Sequence, residues 1–88
     1  MDIRITYCGI WNYLPKAQVV SVELKNNFED INVELIKGSS GVFDVMLMGD
    51  SYNTADRLIF SKHIKGRFPD DGEITKLLIK EFNRVVKG

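Results

Sequence analysis

The sequence predicts an α/β (α+β) fold in the order β-α-β-β-β-α, built on a four-stranded mixed sheet. Three observations carry that expectation. Apolar and polar residues alternate at the start of the chain, and two later segments repeat their apolar residues at helical spacing. The remaining apolar runs are short and bounded by turn-forming residues. At 88 residues the chain is one domain, 1–88, with room for a single core.

Ile3, Ile5 and Tyr7 alternate with Arg4 and Thr6, giving a strand with one buried face that ends near Cys8-Gly9. Asn12 is a good helix cap, and Pro15 falls in the first turn, where its missing N–H does little harm. Ala17, Val20, Ser21, Leu24 and Phe28 then recur at helical spacing until Asn26-Asn27 closes the helix. Ile31, Val33 and Leu35 alternate with Asn32 and Glu34 as a second strand, followed by a compact loop, Gly38-Ser39-Ser40-Gly41. Val42 to Met48 is apolar enough for an internal third strand. A polar connection, Gly49 to Asp56, is longer than most hairpin loops and leads to a fourth strand, Arg57 to Lys62. That strand is expected to carry Leu58 and Phe60 on one side and Ile59 and Ser61 on the other. Gly66-Arg67-Phe68-Pro69 ends the arm, and Asp70 or Asp71 caps a last helix through Val86. Its apolar face is Ile74, Leu77, Leu78, Glu81, Phe82 and Val85.

A right-handed crossover sets the first two strands side by side beneath the first helix. The third strand can then pair with the second as a hairpin, or cross over to lie antiparallel to the first. Crossing spans about 10 Å, two strand spacings, and four loop residues reach about 13 Å when extended. Both are feasible. A central place for the more apolar third strand favours the crossover, which carries Ser39-Ser40-Gly41 past the end of strand one, where Cys8 sits.

Composition narrows the function. Twelve basic residues balance twelve acidic ones, so the excess of Lys and Arg that phosphate binding demands is missing and no nucleic-acid partner is expected. No apolar run approaches the roughly 20 residues of a membrane-spanning helix, and Met1-Asp2-Ile3-Arg4 lacks a signal peptide's basic start and apolar stretch. The lone cysteine cannot form an intramolecular disulfide and fits a reducing, cytoplasmic setting. One His and one distant Cys make no metal site, and neither a hydrolase constellation nor a phosphate cradle is visible.

Several short motifs, taken together and in order, resemble the Rdx family, the selenoprotein W-like branch of the thioredoxin-like fold. They are Tyr7-Cys8-Gly9-Ile10 with Asn12-Tyr13-Leu14-Pro15-Lys16-Ala17, then Gly38-Ser39-Ser40-Gly41-Val42-Phe43-Asp44-Val45, then Leu58-Ile59-Phe60-Ser61-Lys62 and Gly66-Arg67-Phe68-Pro69. The resemblance implies thiol-disulfide chemistry at Cys8, with Gly9, Ile10, Trp11, Ser40, Gly41 and Phe68 at the active-site rim. It implies protein thiols or disulfides as partners, glutathione as a co-substrate rather than a bound cofactor, and a monomer or weak homodimer.

The family pattern also has a second cysteine or selenocysteine three residues after the first, where this chain has Trp11. A second thiol releases the product by closing an internal disulfide, and Trp11 cannot do so. The codon for selenocysteine, UGA, is read as Trp in some translation tables, so an intact mass decides what residue 11 is. The loop before the third strand, which usually carries a cis-proline in thioredoxin-like proteins, has no proline here.

Each candidate has a plainer reading. Free cysteine is commonly a small buried hydrophobe, but a thiol just before a helix N-terminus meets unpaired N–H groups and the positive end of the dipole, which favour thiolate. At an unperturbed pKa of about 8.5, only about 3% of a thiol is ionised at neutral pH. Lys16 is the one cation placed to reach back. Trp11 can be a core or rim aromatic, or a cover for Cys8. His63 reads as a solvated strand-end residue, and the Lys62, His63, Lys65, Arg67 cluster as a mixed surface offset by Asp70 and Asp71. The expected function is therefore a monothiol thiol-disulfide oxidoreductase acting through Cys8 and resolved by glutathione. The alternative is a redox-inactive thioredoxin-fold binding module.

Overall fold

The computed structural model describes residues 1–49 and 55–87. The elements are β1 (Asp2–Cys8), α1 (Leu14–Asn27), β2 (Asn32–Gly38), β3 (Phe43–Leu47), β4 (Arg57–Ser61), α2 (Lys62–Lys65) and α3 (Glu73–Lys87). They form a four-stranded mixed sheet in the order β2-β1-β3-β4. β1 runs parallel to β2 and antiparallel to β3, so the crossover topology is the one adopted. The loop after β2 passes the end of β1, and the Cys8 N–H donates to the Val42 carbonyl at 2.8 Å.

Ile3 and Ile5 of β1, Phe43 and Val45 of β3, and Phe60 of β4 point to one face of the sheet and form the core with Ala17, Val20 and Leu24 of α1 and Ile74 and Leu78 of α3. Each of the larger of these side chains, fully withdrawn from water, contributes roughly 1.5–3 kcal/mol. Among the described residues the helices that contribute to the core, α1 and α3, both pack on this face and leave the opposite one without a core helix. There Arg4 and Glu34 pair across β1 and β2 at 2.8 Å, and Asp44 lies opposite Thr6.

The helices are joined by a bond the sequence pattern does not reveal. Glu23 of α1 accepts hydrogen bonds from the Gly72 N–H at 2.9 Å, the Thr75 N–H at 3.1 Å and the Thr75 hydroxyl at 2.7 Å. A carboxylate from α1 thus satisfies donors in the first turn of α3. The expected Asp70 or Asp71 side-chain cap is not used. Instead the Asp70 carbonyl accepts the Glu73 N–H at 3.0 Å, and the Glu73 carboxylate accepts the Asp70 N–H at 2.8 Å.

Several boundaries differ from the sequence expectation. α1 starts at Leu14 with Tyr13 as its N-cap, and no side chain caps it. Asn12 is spent on the turn before the helix, at φ 58° in the left-handed region that Asn tolerates. Gly38 belongs to β2 rather than to the loop. β4 stops at Ser61, and a single helical turn, α2, follows where the sequence suggests more strand. In β4, Phe60 pairs with Val45 in the core while Leu58 pairs with Met46 and is 45% exposed. A register shift between Val45 and Met46 puts these two side chains on opposite faces, contrary to strict alternation. On α3, Phe82 is 58% exposed rather than packed on the sheet. Residues 50–54 of the long connection, and the side chain of Val85, lie outside the described residues. Among the described residues no helix is long and apolar enough to cross a membrane.

Candidate functional site

The main chain builds the site around Cys8, the last residue of β1. Two turns hold it. The Cys8 carbonyl accepts the Tyr13 N–H at 3.0 Å, and the Gly9 carbonyl accepts the Asn12 N–H at 3.3 Å, so the chain doubles back over residues 9–12. That fold brings the Trp11 N–H to 3.3 Å from Cys8 Sγ. On the other side, the crossing loop closes with the Val42 N–H on the Ser39 carbonyl at 3.3 Å, and Gly41 takes φ 77°, a conformation that costs glycine little.

The thiol is fully buried, and two opposing effects set its ionisation. Burial pushes its pKa up, while hydrogen bonds from the backbone N–H groups of Gly41, Trp11 and Ile10 pull it down, and together they leave it below the ordinary thiol value. The expected source of that stabilisation is the helix N-terminus. The actual source is the turn ahead of the helix plus the crossing loop, because α1 does not begin until Leu14. Lys16 does not reach the sulfur either. Its Nζ lies over the Phe68 ring, 5.3 Å from the centroid.

The rim residues separate into distinct groups. Ile10 is 81% exposed and Trp11 57% exposed, both unusually open for large apolar side chains. The Trp11 ring packs on Gly41, where an added Cβ would come within 3.0 Å of Trp11 Cζ3. Gly9 lies beneath the aliphatic stem of Lys37. Ser40 is exposed, while Gly41 is buried. Phe68 belongs to an aromatic group that runs along the rim. It makes edge-to-face contacts with Tyr13 at 4.7 Å and Phe43 at 5.3 Å, and Tyr13 in turn meets Trp11 at 6.1 Å.

Residues not expected at the site also converge there. Lys62 Nζ stands over the rings of Tyr13 at 5.7 Å and Phe68 at 5.3 Å. His63 Cε1 would stand 3.6 Å from a Cβ on Gly41. Lys37 is opposite Tyr7 in the β1–β2 register, so the crossover topology already places it beside the end of β1. Lys62 and His63 carry no such signal, because their segment reads as strand in the sequence. Among the described residues no group of three His, Cys, Asp or Glu side chains is placed to hold a metal ion.

The Rdx family profile matches residues 2–80. A crystal structure of a protein of Bordetella parapertussis superposes with a TM-score of 0.75 at 23% identity, covering 91% of this chain and 95% of that one. A selenoprotein W-related protein of Vibrio cholerae gives a TM-score of 0.74 at 23% identity, over 90% of this chain and 92% of that one. No curated protein sequence matches significantly. At this identity the structural likeness establishes the thioredoxin-like fold, while the profile covers most of the sequence and points to a thioredoxin-like redox role. The chain belongs to the Rdx family.

Proposed function

We propose that Cys8 is the reacting thiol of a monothiol thiol-disulfide oxidoreductase. The observation that carries this reading is the Trp11 N–H donating to the Cys8 sulfur at 3.3 Å, with the Gly41 and Ile10 main chain also lowering the thiol pKa. Such donors stabilise negative charge on sulfur, and the thiolate is the attacking species. In the cycle, the Cys8 thiolate attacks one sulfur of a disulfide, forms a new S–S bond, and expels the other sulfur as a thiolate. With Trp11 in place of a second thiol, a glutathione thiolate then attacks the mixed disulfide. If the first step leaves glutathione on Cys8, the products are oxidised glutathione and the restored Cys8 thiolate. A protein mixed disulfide with glutathione is thus reduced at the expense of one further glutathione, with all electrons accounted for. A reducing compartment such as the cytoplasm supplies that co-substrate.

The second reading is a redox-inactive binding module, and the complete burial of Cys8 favours it. Alkylation of Cys8 measured against pH separates the two. The monothiol reading expects a reaction with an apparent pKa below that of a free thiol, and a glutathione adduct of the native protein by intact mass after treatment with oxidised glutathione. A thiol that stays unreactive across the whole pH range, while reacting normally in denaturant, overturns it and leaves the binding module.

A further inference from the structure

The chain is neutral overall, yet its charges are not evenly spread. Segments 8–22, 35–43 and 58–69 frame the Cys8 end of the sheet, and they hold five of the twelve Lys and Arg residues and none of the twelve Asp and Glu residues. Of those five, Arg67 is engaged by Glu73 and Asp70, and Lys65 lies in the field of Glu73. Lys16, Lys37 and Lys62 have no ion-pair partner among the described residues. They surround the site: Lys37 lies along Gly9, and Lys62 and Lys16 stand over the Tyr13 and Phe68 rings. The nearest acid along β3, Asp44, points away from the core that Phe43 and Val45 enter, and its Oδ1 is buried with no hydrogen-bond partner among the described residues.

We propose that this rim is a selective docking surface for acidic thiol and disulfide partners, carrying carboxylates close to the reacting sulfur. The inference rests on Cys8 as the reacting thiol and adds the class of substrate it takes. Its physical basis is charge complementarity. Uncompensated ammonium groups around a partly apolar rim raise the local concentration of an anionic partner and disfavour a cationic one. The aromatic rings hold two of the ammonium groups in place, so less freedom is lost when a carboxylate arrives. A nucleic-acid partner fits less well, because three free lysines with no longer basic track neutralise few phosphates.

The test uses three small disulfides that differ in charge: dithiodipropionate, hydroxyethyl disulfide and cystamine. Each rate of mixed-disulfide formation with the native chain is divided by the rate of the same disulfide with 2-mercaptoethanol, which removes intrinsic reactivity. The expected order is dithiodipropionate, then hydroxyethyl disulfide, then cystamine, with about tenfold between the extremes at low salt. The spread should close toward 1 M salt, where the Debye length is about 3 Å. The double variant Lys16→Glu with Lys62→Glu is expected to invert the order. The equally charged change Lys76→Glu with Lys80→Glu, on the exposed face of α3, should preserve it. Equal normalised rates, or cystamine reacting fastest, overturns the proposal while leaving the redox reading intact. If none of the three reacts, the redox reading fails, and the surface is judged by titrating the Cys8→Ser chain with a Glu-rich peptide and its Gln analogue. Preference for the Glu peptide sustains the acidic docking surface. No preference, or tighter binding of an oligonucleotide than of the Glu peptide, overturns it.

Discussion

The Trp11 N–H donates to Cys8 Sγ at 3.3 Å, so the residue standing in place of a second redox group still serves the first through its main chain. The indole has a different position, packed on Gly41 and more than half exposed. These two roles are separable by mutation. Trp11→Ala keeps the N–H and removes the ring, so alkylation of Cys8 should become faster while its apparent pKa stays low. Trp11→Pro removes the donor, and the apparent pKa should rise. An equal rise in both variants in a pH series of alkylation rates would show that the main chain is not what holds the thiolate.

Restoring a thiol at residue 11 makes the opposite test. Trp11→Cys places a second sulfur in the turn that already brings residue 11 onto Cys8. The oxidised variant is expected to close an internal disulfide, visible as the loss of two hydrogens in intact mass, and to turn over without glutathione. Persistence of a glutathione adduct on that variant would mean the turn holds the two sulfurs too far apart or misaligned.

Gly41 is the point where backbone, ring and sulfur meet. Its φ of 77° suits glycine, and a Cβ there would press on Trp11 Cζ3 at 3.0 Å. Gly41→Ala should therefore cost about 1–2 kcal/mol for the left-handed backbone alone, and it should also raise the apparent pKa of Cys8 as its N–H moves off the sulfur. Urea unfolding and the alkylation series report the two effects independently.

How far the sequence reveals this site depends on what each residue obeys. The strands and the buried face of α1 follow periodicity, so Ile3, Ile5, Ala17, Val20 and Leu24 are legible, and chain connectivity alone allows the crossover that sets Gly41 beside Cys8. Local turn chemistry is less legible. Asn12 fits the pattern of a helix cap, yet it takes a left-handed turn held by main-chain bonds at Cys8 and Gly9 that no local pattern encodes. The β4 register shift and the α2 turn likewise arise from packing, which is why Leu58 and Phe60 part company and why His63 and Lys62 reach the rim unannounced.

Glu23 gives a prediction of the same tertiary kind. It accepts three hydrogen bonds from Gly72 and Thr75, forty-nine and more residues away in the chain. Hydrogen bonds to a charged group are worth about 1.5–3 kcal/mol. Glu23→Ala is expected to lower stability by about that much and to loosen α3 first, read as faster amide exchange at Gly72 and Thr75 than in β1. Glu23→Gln keeps an acceptor and should cost less. A uniform loss of protection across the whole chain would instead mean that α3 unfolds only with the sheet.

Glu73 links that helix start to pH. Its carboxylate accepts from Arg67 Nη1 at 2.7 Å and Nη2 at 2.9 Å and from the Asp70 N–H, and these bonds hold its pKa down at about 2. The folded-state pKa thus lies below the unfolded value of about 4.3. The contribution is present in full above the unfolded value and is lost as pH falls from there through about 2. Because Arg67 is nearly half exposed, solvent screening keeps the contribution well below what the full shift alone implies. Urea midpoints taken from pH 6 down to pH 2 should fall less steeply for Glu73→Gln than for the parent chain, with the two curves converging at the acid end. Parallel curves over that range would place the acid sensitivity on other carboxylates.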